Sequence, residues 1–308
     1  MNKPLIYIDQ NVLGLQLDGS IGLKKHPDLC WVYSKEHFSE IRRSANAALY
    51  LIELEKIDAK LLELELNSDF RITGAAKLID QGKPSQHYAA YMDAIGDIDL
   101  DDNLFDPLQA WCNGGCDEDA LKQLPSQLVE RILSLIQDLP VNDNKLFENI
   151  GLIEPVLNDV IYKMIEHGND INNTREFFGV GKGAIGGLSG ENQVKRIWDL
   201  ISPACHGISC DQFFGFDPIN KQGYETWPVY LGIISCCAAM DIIGFCAEKK
   251  CRKLDKLPNV RSDMGHIGMG AYCSAIISED RRLIKRAASI YEYKGIRTSP
   301  LLLRNSKL

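Results

Sequence analysis

The sequence predicts an α/β fold in which a discontinuous parallel-sheet domain, residues 1–66 and 226–308, carries a mainly α-helical insertion, residues 67–225. Three observations point there. Short runs of β-branched, aromatic and aliphatic residues near both ends of the chain read as buried parallel strands. Those runs lead into stretches with helical spacing, the alternation expected of βα units. The long middle of the chain shows helical periodicity instead. A length of 308 residues suits two folding units of about 150 residues each.

In chain order, Leu5-Ile6-Tyr7-Ile8 is the first expected strand, and it stops at Asp9-Gln10-Asn11. Cys30-Trp31-Val32-Tyr33 is the second. Ser34 has the character of an N-cap and opens a helix over 35–41. Residues 45–66 are rich in Ala, Leu, Glu and Lys, with apolar positions three and four apart, and predict one amphipathic helix. Residues 84–121 hold no Lys or Arg but nine acids, from Asp93 to Asp119, and predict solvated loops and short helices. Helical spacing returns at 126–137, 145–167, 191–201 and 228–250. Six glycines within 177–190 predict a flexible connection. Toward the end, 263–273 reads as a small-residue helix with Asp263 at or near its first turn. Ala275-Ile276-Ile277 reads as a strand, 281–293 as a helix closed by Gly295, and Ile296-Arg297-Thr298 as the start of a last strand.

Composition excludes several classes. Hydrophobic residues make up 45% and charged residues 25%, as in folded soluble proteins and unlike disordered, collagen-like or membrane-embedded chains. The formal charge of −8 argues against a protein that coats nucleic acid non-specifically. The longest apolar stretch, 229–247, contains Asp241, so a buried helix is expected there and no membrane span. The first apolar run is too short for a signal peptide and is interrupted by Asp9. A cytoplasmic location with ten reduced cysteines is therefore expected.

The acids at the strand ends carry the chemistry. In an open parallel sheet, ligands bind just beyond the carboxyl ends of the strands. Asp9 directly follows the first strand, and Asp280 closely follows the strand 275–277. Glu40 lies on the helix after the second strand. Together, Asp9 in Ile6-Tyr7-Ile8-Asp9-Gln10-Asn11, Glu40 in Phe38-Ser39-Glu40-Ile41, Asp263 in Asp263-Met264-Gly265-His266, and Asp280 in Ile277-Ser278-Glu279-Asp280-Arg281-Arg282-Leu283 resemble the PIN-domain nucleases. In that family the first strand ends in Asp, a later helix supplies Glu, an Asp-led helix follows, and a strand then ends in Thr-x-Asp; Ser278 stands here for the Thr. The chain is about twice a typical member's length, and over 200 residues separate Glu40 from Asp263. Glu36, one turn before Glu40, is the alternative helix-borne acid.

The resemblance implies a PIN-like metal-dependent endoribonuclease that hydrolyses phosphodiester bonds in RNA, or in single-stranded DNA. Clustered carboxylates stay ionised only if a cation joins them, and oxygen donors favour Mg²⁺ or Mn²⁺. Asp9 and Asp280 are then the primary ligands, and Asp263 and Glu40 second-site or water-mediated ones. Asn11 and Ser278 orient the carboxylates. Toxin, RNA-processing and phage-defence settings are all compatible with this activity. A non-catalytic PIN-like scaffold that binds a regulatory protein partner through the insertion, and a structure-specific DNA nuclease, are the competing readings; oligomeric state is left open.

Charge distribution adds a nucleic-acid surface. Residues 281–308 hold eight basic residues and one acid, a balance of +7, leaving −15 on the other 280 residues. Arg281, Arg282, Lys285 and Arg286 are candidates for holding backbone phosphates, with Arg42 and Arg43 adding to that surface. His37 and His266 share helix faces with Glu40 and Asp263 and are expected as polar residues at a cleft rim. Gly181-Lys182-Gly183-Ala184-Ile185-Gly186 has glycine spacing without a preceding strand, so a loop is expected there and no nucleotide site. The pairs Cys112/Cys116 and Cys205/Cys210 lack the usual zinc-knuckle spacing.

Overall fold

The computed structural model describes residues 3–96, 103–136, 144–181, 185–247 and 249–303. The elements begin with β1 (Leu5–Ile8), α1 (Gln10–Leu17), β2 (Cys30–Tyr33), α2 (Lys35–Arg42), α3 (Ala47–Lys56), β3 (Lys60–Leu66), β4 (Ile72–Ile79) and α4 (Pro84–Ile95). There follow α5 (Asp106–Cys112), α6 (Glu118–Ile136), α7 (Asn144–His167), α8 (Ile171–Phe177), α9 (Gln193–Ile201) and α10 (Cys210–Phe213). The chain closes with α11 (Val229–Ile243), α12 (Leu257–Gly270), β5 (Ala275–Ser278), α13 (Arg281–Lys294) and β6 (Ser299–Leu302).

Two compact units emerge. The first comprises Met1–Ile98, Arg175–Ala247 and Arg261–Leu308; the second comprises Asp99–Thr174 and Glu248–Val260. The sheet-bearing unit thus reaches further into the middle of the chain than the 67–225 boundary allows. Two contacts explain this. β4 pairs antiparallel with β3, Leu61 opposite Ile79, and lengthens the sheet. The segment around α9 is tied to α13, where Ser289 Oγ donates to Gln193 Oε1 at 2.6 Å and Asn192 N–H to Glu292 Oε2 at 2.9 Å.

The first unit is built on a six-stranded sheet in the order β4-β3-β2-β1-β5-β6. All neighbours run parallel except β3 and β4. Strand order reverses at β1, which has β2 on one side and β5 on the other, and this is where open α/β sheets bind ligands. Ile8 lies opposite Ile277, and Asp9 N–H donates to the Ile277 carbonyl at 3.0 Å, so Asp9 leaves the sheet beside the end of β5. Ile8, Val12, Leu13, Tyr33, Phe38, Ile41 and Leu54 form one buried cluster beneath this end.

Local signals explain most boundaries. Ser34 caps α2: its Oγ accepts from Glu36 N–H at 3.3 Å, and His37 Nδ1 accepts from Ser34 N–H at 3.1 Å. Gly295 closes α13 at φ 65°, with Ile296 N–H donating to the Tyr291 carbonyl at 2.8 Å. The expected helix over 45–66 is corrected to α3 followed by β3. Asp58 adopts φ 55°; its N–H bonds to Glu55 O and Ala59 N–H to Leu54 O, both at 3.0 Å. That is a helix stop with Asp in the place usually taken by glycine, and Leu61 and Leu62 then enter the core as strand residues. The last strand begins at Ser299, three residues later than expected, because Thr298 turns inward and donates to Cys273 O at 2.7 Å.

The second unit gathers Trp111, Leu121, Leu124 and Ile161 into its own small core. Asp97, Asp99, Asp101 and Asp102 of the acidic stretch lie outside the described residues, as do Lys182, Gly183 and Ala184 of the glycine motif and Arg304 and Lys307 of the basic end. All ten cysteines are free thiols. Among the described residues no helix is long and apolar enough to cross a membrane.

Candidate functional site

Asp9 is fixed before any ligand arrives. It is 1% exposed, and Oδ2 accepts from Ser278 Oγ at 2.6 Å and from Asn11 Nδ2 at 3.2 Å. Ser278 Oγ also accepts the Asp280 N–H at 2.9 Å, so one hydroxyl links the acids that follow β1 and β5. Asp280 caps α13, where its Oδ1 accepts from Arg282 N–H at 2.6 Å and Leu283 N–H at 3.3 Å. Capping locks its orientation at the positive end of the helix.

Asp263 is the clearest departure from a surface role. It lies in the middle of α12 and not in its first turn, because the helix begins at Leu257, so it caps nothing. Burial pushes its carboxyl up to about 8, and the charges of Asp9, Glu40 and Asp280 add to that shift while His266 opposes it. Burial likewise raises the Asp9 carboxyl, with His266 and Ser278 pulling the other way. Asp9, Glu40 and Asp280 therefore all lie near enough to Asp263 for their charges to act on its carboxyl.

Glu40 and Glu36 have different partners. Glu36 accepts from Tyr230 Oη at 3.0 Å, and burial raises its carboxyl. It also lies close to α12: a Cβ on Gly265 would stand 2.3 Å from the Glu36 carboxyl carbon, so any larger residue there would displace the Glu36 carboxyl. Glu40 Oε1 is instead 3.5 Å from His266 Nε2, and the same nitrogen is 3.8 Å from Asp9 Oδ1.

His266 is thus central, not at a rim. It is fully buried, its Nδ1 shares a hydrogen bond with Tyr7 Oη at 2.8 Å, and Tyr7 Oη shares another with Ser34 Oγ at 2.6 Å. Its Nε2 makes no hydrogen bond and points among the acids. Burial works against its charged form, but Glu40, Asp9 and Glu36 outweigh that and raise it to about 9. His37 is also fully buried and stays neutral: burial and neighbouring His266 hold it well below the usual range, and its Nε2 meets the Ile8 carbonyl at 2.6 Å. The i+3 spacing from Asp263 was the available signal for His266; its contact with Tyr7 spans 259 positions and has no local signature. Replacing Tyr7 by Phe keeps the ring but leaves Nδ1 and Ser34 Oγ short of a partner in the core. We expect a loss of about 1–3 kcal/mol in urea unfolding.

The basic candidates divide. Arg281 and Arg282 are exposed beside Asp280, and Lys285 stands 5.0 Å over the Phe245 ring. Arg286 is corrected: it is 3% exposed, pairs with buried Asp241 and donates to Cys246 O at 2.8 Å, so it holds α11 to α13 and is not available to phosphate. Arg43 reaches Ser39 Oγ at 2.9 Å and Ser262 Oγ at 3.3 Å, bracing α2 against α12.

Among the described residues, no three His, Cys, Asp or Glu side chains form a ready-made cation cage. The donor chemistry nevertheless suits a hard divalent ion: carboxylate oxygens that raise one another's proton affinity, which a bound cation would relieve. No family model, curated protein or solved structure matches this chain.

Proposed function

We propose that this chain is a metal-dependent phosphodiester hydrolase of PIN-like architecture, a nuclease acting on RNA. One observation carries the reading: Asp9 and Asp280 emerge side by side from adjacent parallel strands where strand order reverses, bridged by Ser278, with Asp263 and Glu40 in the same field. A sheet needs no carboxylate buried at its end, yet burial raises the Asp9 carboxyl there, and the carboxyl of Asp263 on α12 is raised by burial and by the charge of Asp9.

In this reading Asp9, Asp263, Asp280 and Glu40 hold Mg²⁺ or Mn²⁺, which supplies a Lewis acid for the phosphate and a more acidic water. Ser278 and Asn11 keep Asp9 oriented for that task. His266 holds a proton among the acids when no cation is present. Arg281 and Arg282 meet backbone phosphates on the exposed start of α13. Toxin, RNA-processing and phage-defence roles all fit such an activity.

The test is cleavage of single-stranded RNA and of branched DNA in Mn²⁺ or Mg²⁺ by wild type, Asp9→Asn and Asp280→Asn. We expect RNA cleavage that needs the metal and falls at least about 100-fold in both variants. Equal background in all three supports the scaffold reading, and preference for branched DNA supports a structure-specific nuclease.

A further inference from the structure

A second site lies at the opposite end of the parallel strands from the acids. A cavity of about 470 Å³ opens beside the starts of β1, β2 and β3, within the size range of small-molecule pockets. Part of its lining is Lys25, His26 and Leu29, from the segment 18–29 between α1 and β2, which has no helix or strand of its own. Segments of this length without regular structure are uncommon in compact folds and are often functional.

This one is pinned at three places. Gln16 Oε1 accepts from Leu23 N–H at 2.6 Å, and Gln16 Nε2 donates to Leu23 O at 3.3 Å. Trp31 Nε1 donates to Lys24 O at 2.8 Å. Lys25 pairs with Asp58 at 2.8 Å. This part of the lining is therefore set before any ligand binds, which lowers the ordering cost of binding.

The lining is chemically asymmetric. Asp58 takes both Lys25 and Lys60, the latter at 2.9 Å, so one carboxylate faces two ammonium groups. Lys3 and Asp80 line the same cavity, and among the described residues no side-chain ion pair or hydrogen bond ties either of them. Trp31 supplies an aromatic surface whose polar nitrogen is already used. The cavity thus offers an unpaired cation and a local excess of positive charge, an unpaired acceptor, and an indole.

We propose that this cavity binds a mononucleotide. Its phosphate lies against Lys3 and the Lys25/Lys60 pair, its base on Trp31, and a ribose hydroxyl or base amine donates to Asp80. Binding here does not depend on the acids at the other end of the strands.

Isothermal titration with AMP in EDTA tests this, since EDTA removes any divalent ion the acids could use to hold phosphate. Adenosine, inorganic phosphate and tryptophan serve as probes of the separate parts. We expect saturable AMP binding, at least about tenfold weaker for adenosine and for phosphate. The same loss is expected in Lys3→Ala and in Asp80→Asn. Absence of saturable AMP binding at millimolar concentration overturns the proposal. So does AMP binding unchanged in both variants, or tighter binding of tryptophan than of AMP. Nuclease activity of the same preparation is scored separately, so loss of one reading leaves the other standing.

Discussion

Asp263→Asn is expected to make the metal-free protein more stable while removing metal-dependent cleavage. The wild-type carboxyl is pushed up to about 8 from an ordinary value near 3.8, first by burial and then by Asp9 and Glu40. A group raised in this way contributes stability that is complete below pH about 4 and is lost as pH rises through about 8. His266 acts in the same direction: raised to about 9 from 6.5, its contribution is complete below about 6.5 and is lost as pH rises through about 9. Metal-free wild type should therefore lose stability steadily from pH 5 to pH 9.

Asparagine cannot ionise, so the variant should lose the Asp263 part of that slope. Its melting temperature at pH 8 should rise by at least about 2 °C in a chain of this size. Its cleavage rate should fall at least about 100-fold, because the proposed function needs that carboxylate to help hold the cation. Thermal scans from pH 5 to 9 and RNA cleavage on one preparation read both effects. A variant that is less stable at pH 8 would show that the acids do not repel one another.

Asp241→Ala is expected to cost about 3–5 kcal/mol, the usual penalty for stranding one member of a buried ion pair. Asp241 is 1% exposed and Arg286 3% exposed. Arg286 Nη1 donates to Asp241 Oδ2 at 3.4 Å, and Arg286 Nη2 donates to Oδ1. Without Asp241 the guanidinium loses a buried charged partner and keeps its contact to the neutral Cys246 carbonyl. A double variant, Asp241→Leu with Arg286→Met, should recover most of the loss, since apolar residues of similar volume tolerate that site. Urea unfolding measures both. A cost under about 1 kcal/mol for Asp241→Ala would mean that α11 and α13 are held by their apolar contacts alone.

What could be read from the sequence was local. The strand starting at Leu5, the cap at Ser34 and the stop at Gly295 each depend on a few neighbouring residues, and each falls where expected. The positions of Asp9 and Asp280 after their strands were legible for the same reason. Asp58 escaped because an Asp in left-handed conformation ends a helix without any glycine to announce it. Asp241 in an apolar helix speaks against a membrane span, yet its partner Arg286 is 45 positions away, where local spacing reads as part of a basic run that suits phosphate. Glu36 with Tyr230, and His266 with Tyr7, span 194 and 259 positions; only the folded chain shows that Glu36 is engaged and that His266 sits among the acids.

The proposed activity requires Asp9, Glu40, Asp263 and Asp280 to act together on a divalent cation. Equilibrium binding of Mn²⁺ at pH 8, followed by the loss of free-ion resonance signal, tests it most directly. Wild type should bind Mn²⁺ saturably and release protons as it does so, while Asp9→Asn and Asp263→Asn should each bind at least about tenfold more weakly. Wild type that takes up no Mn²⁺ at millimolar concentration, or variants that bind as well as wild type, would contradict it.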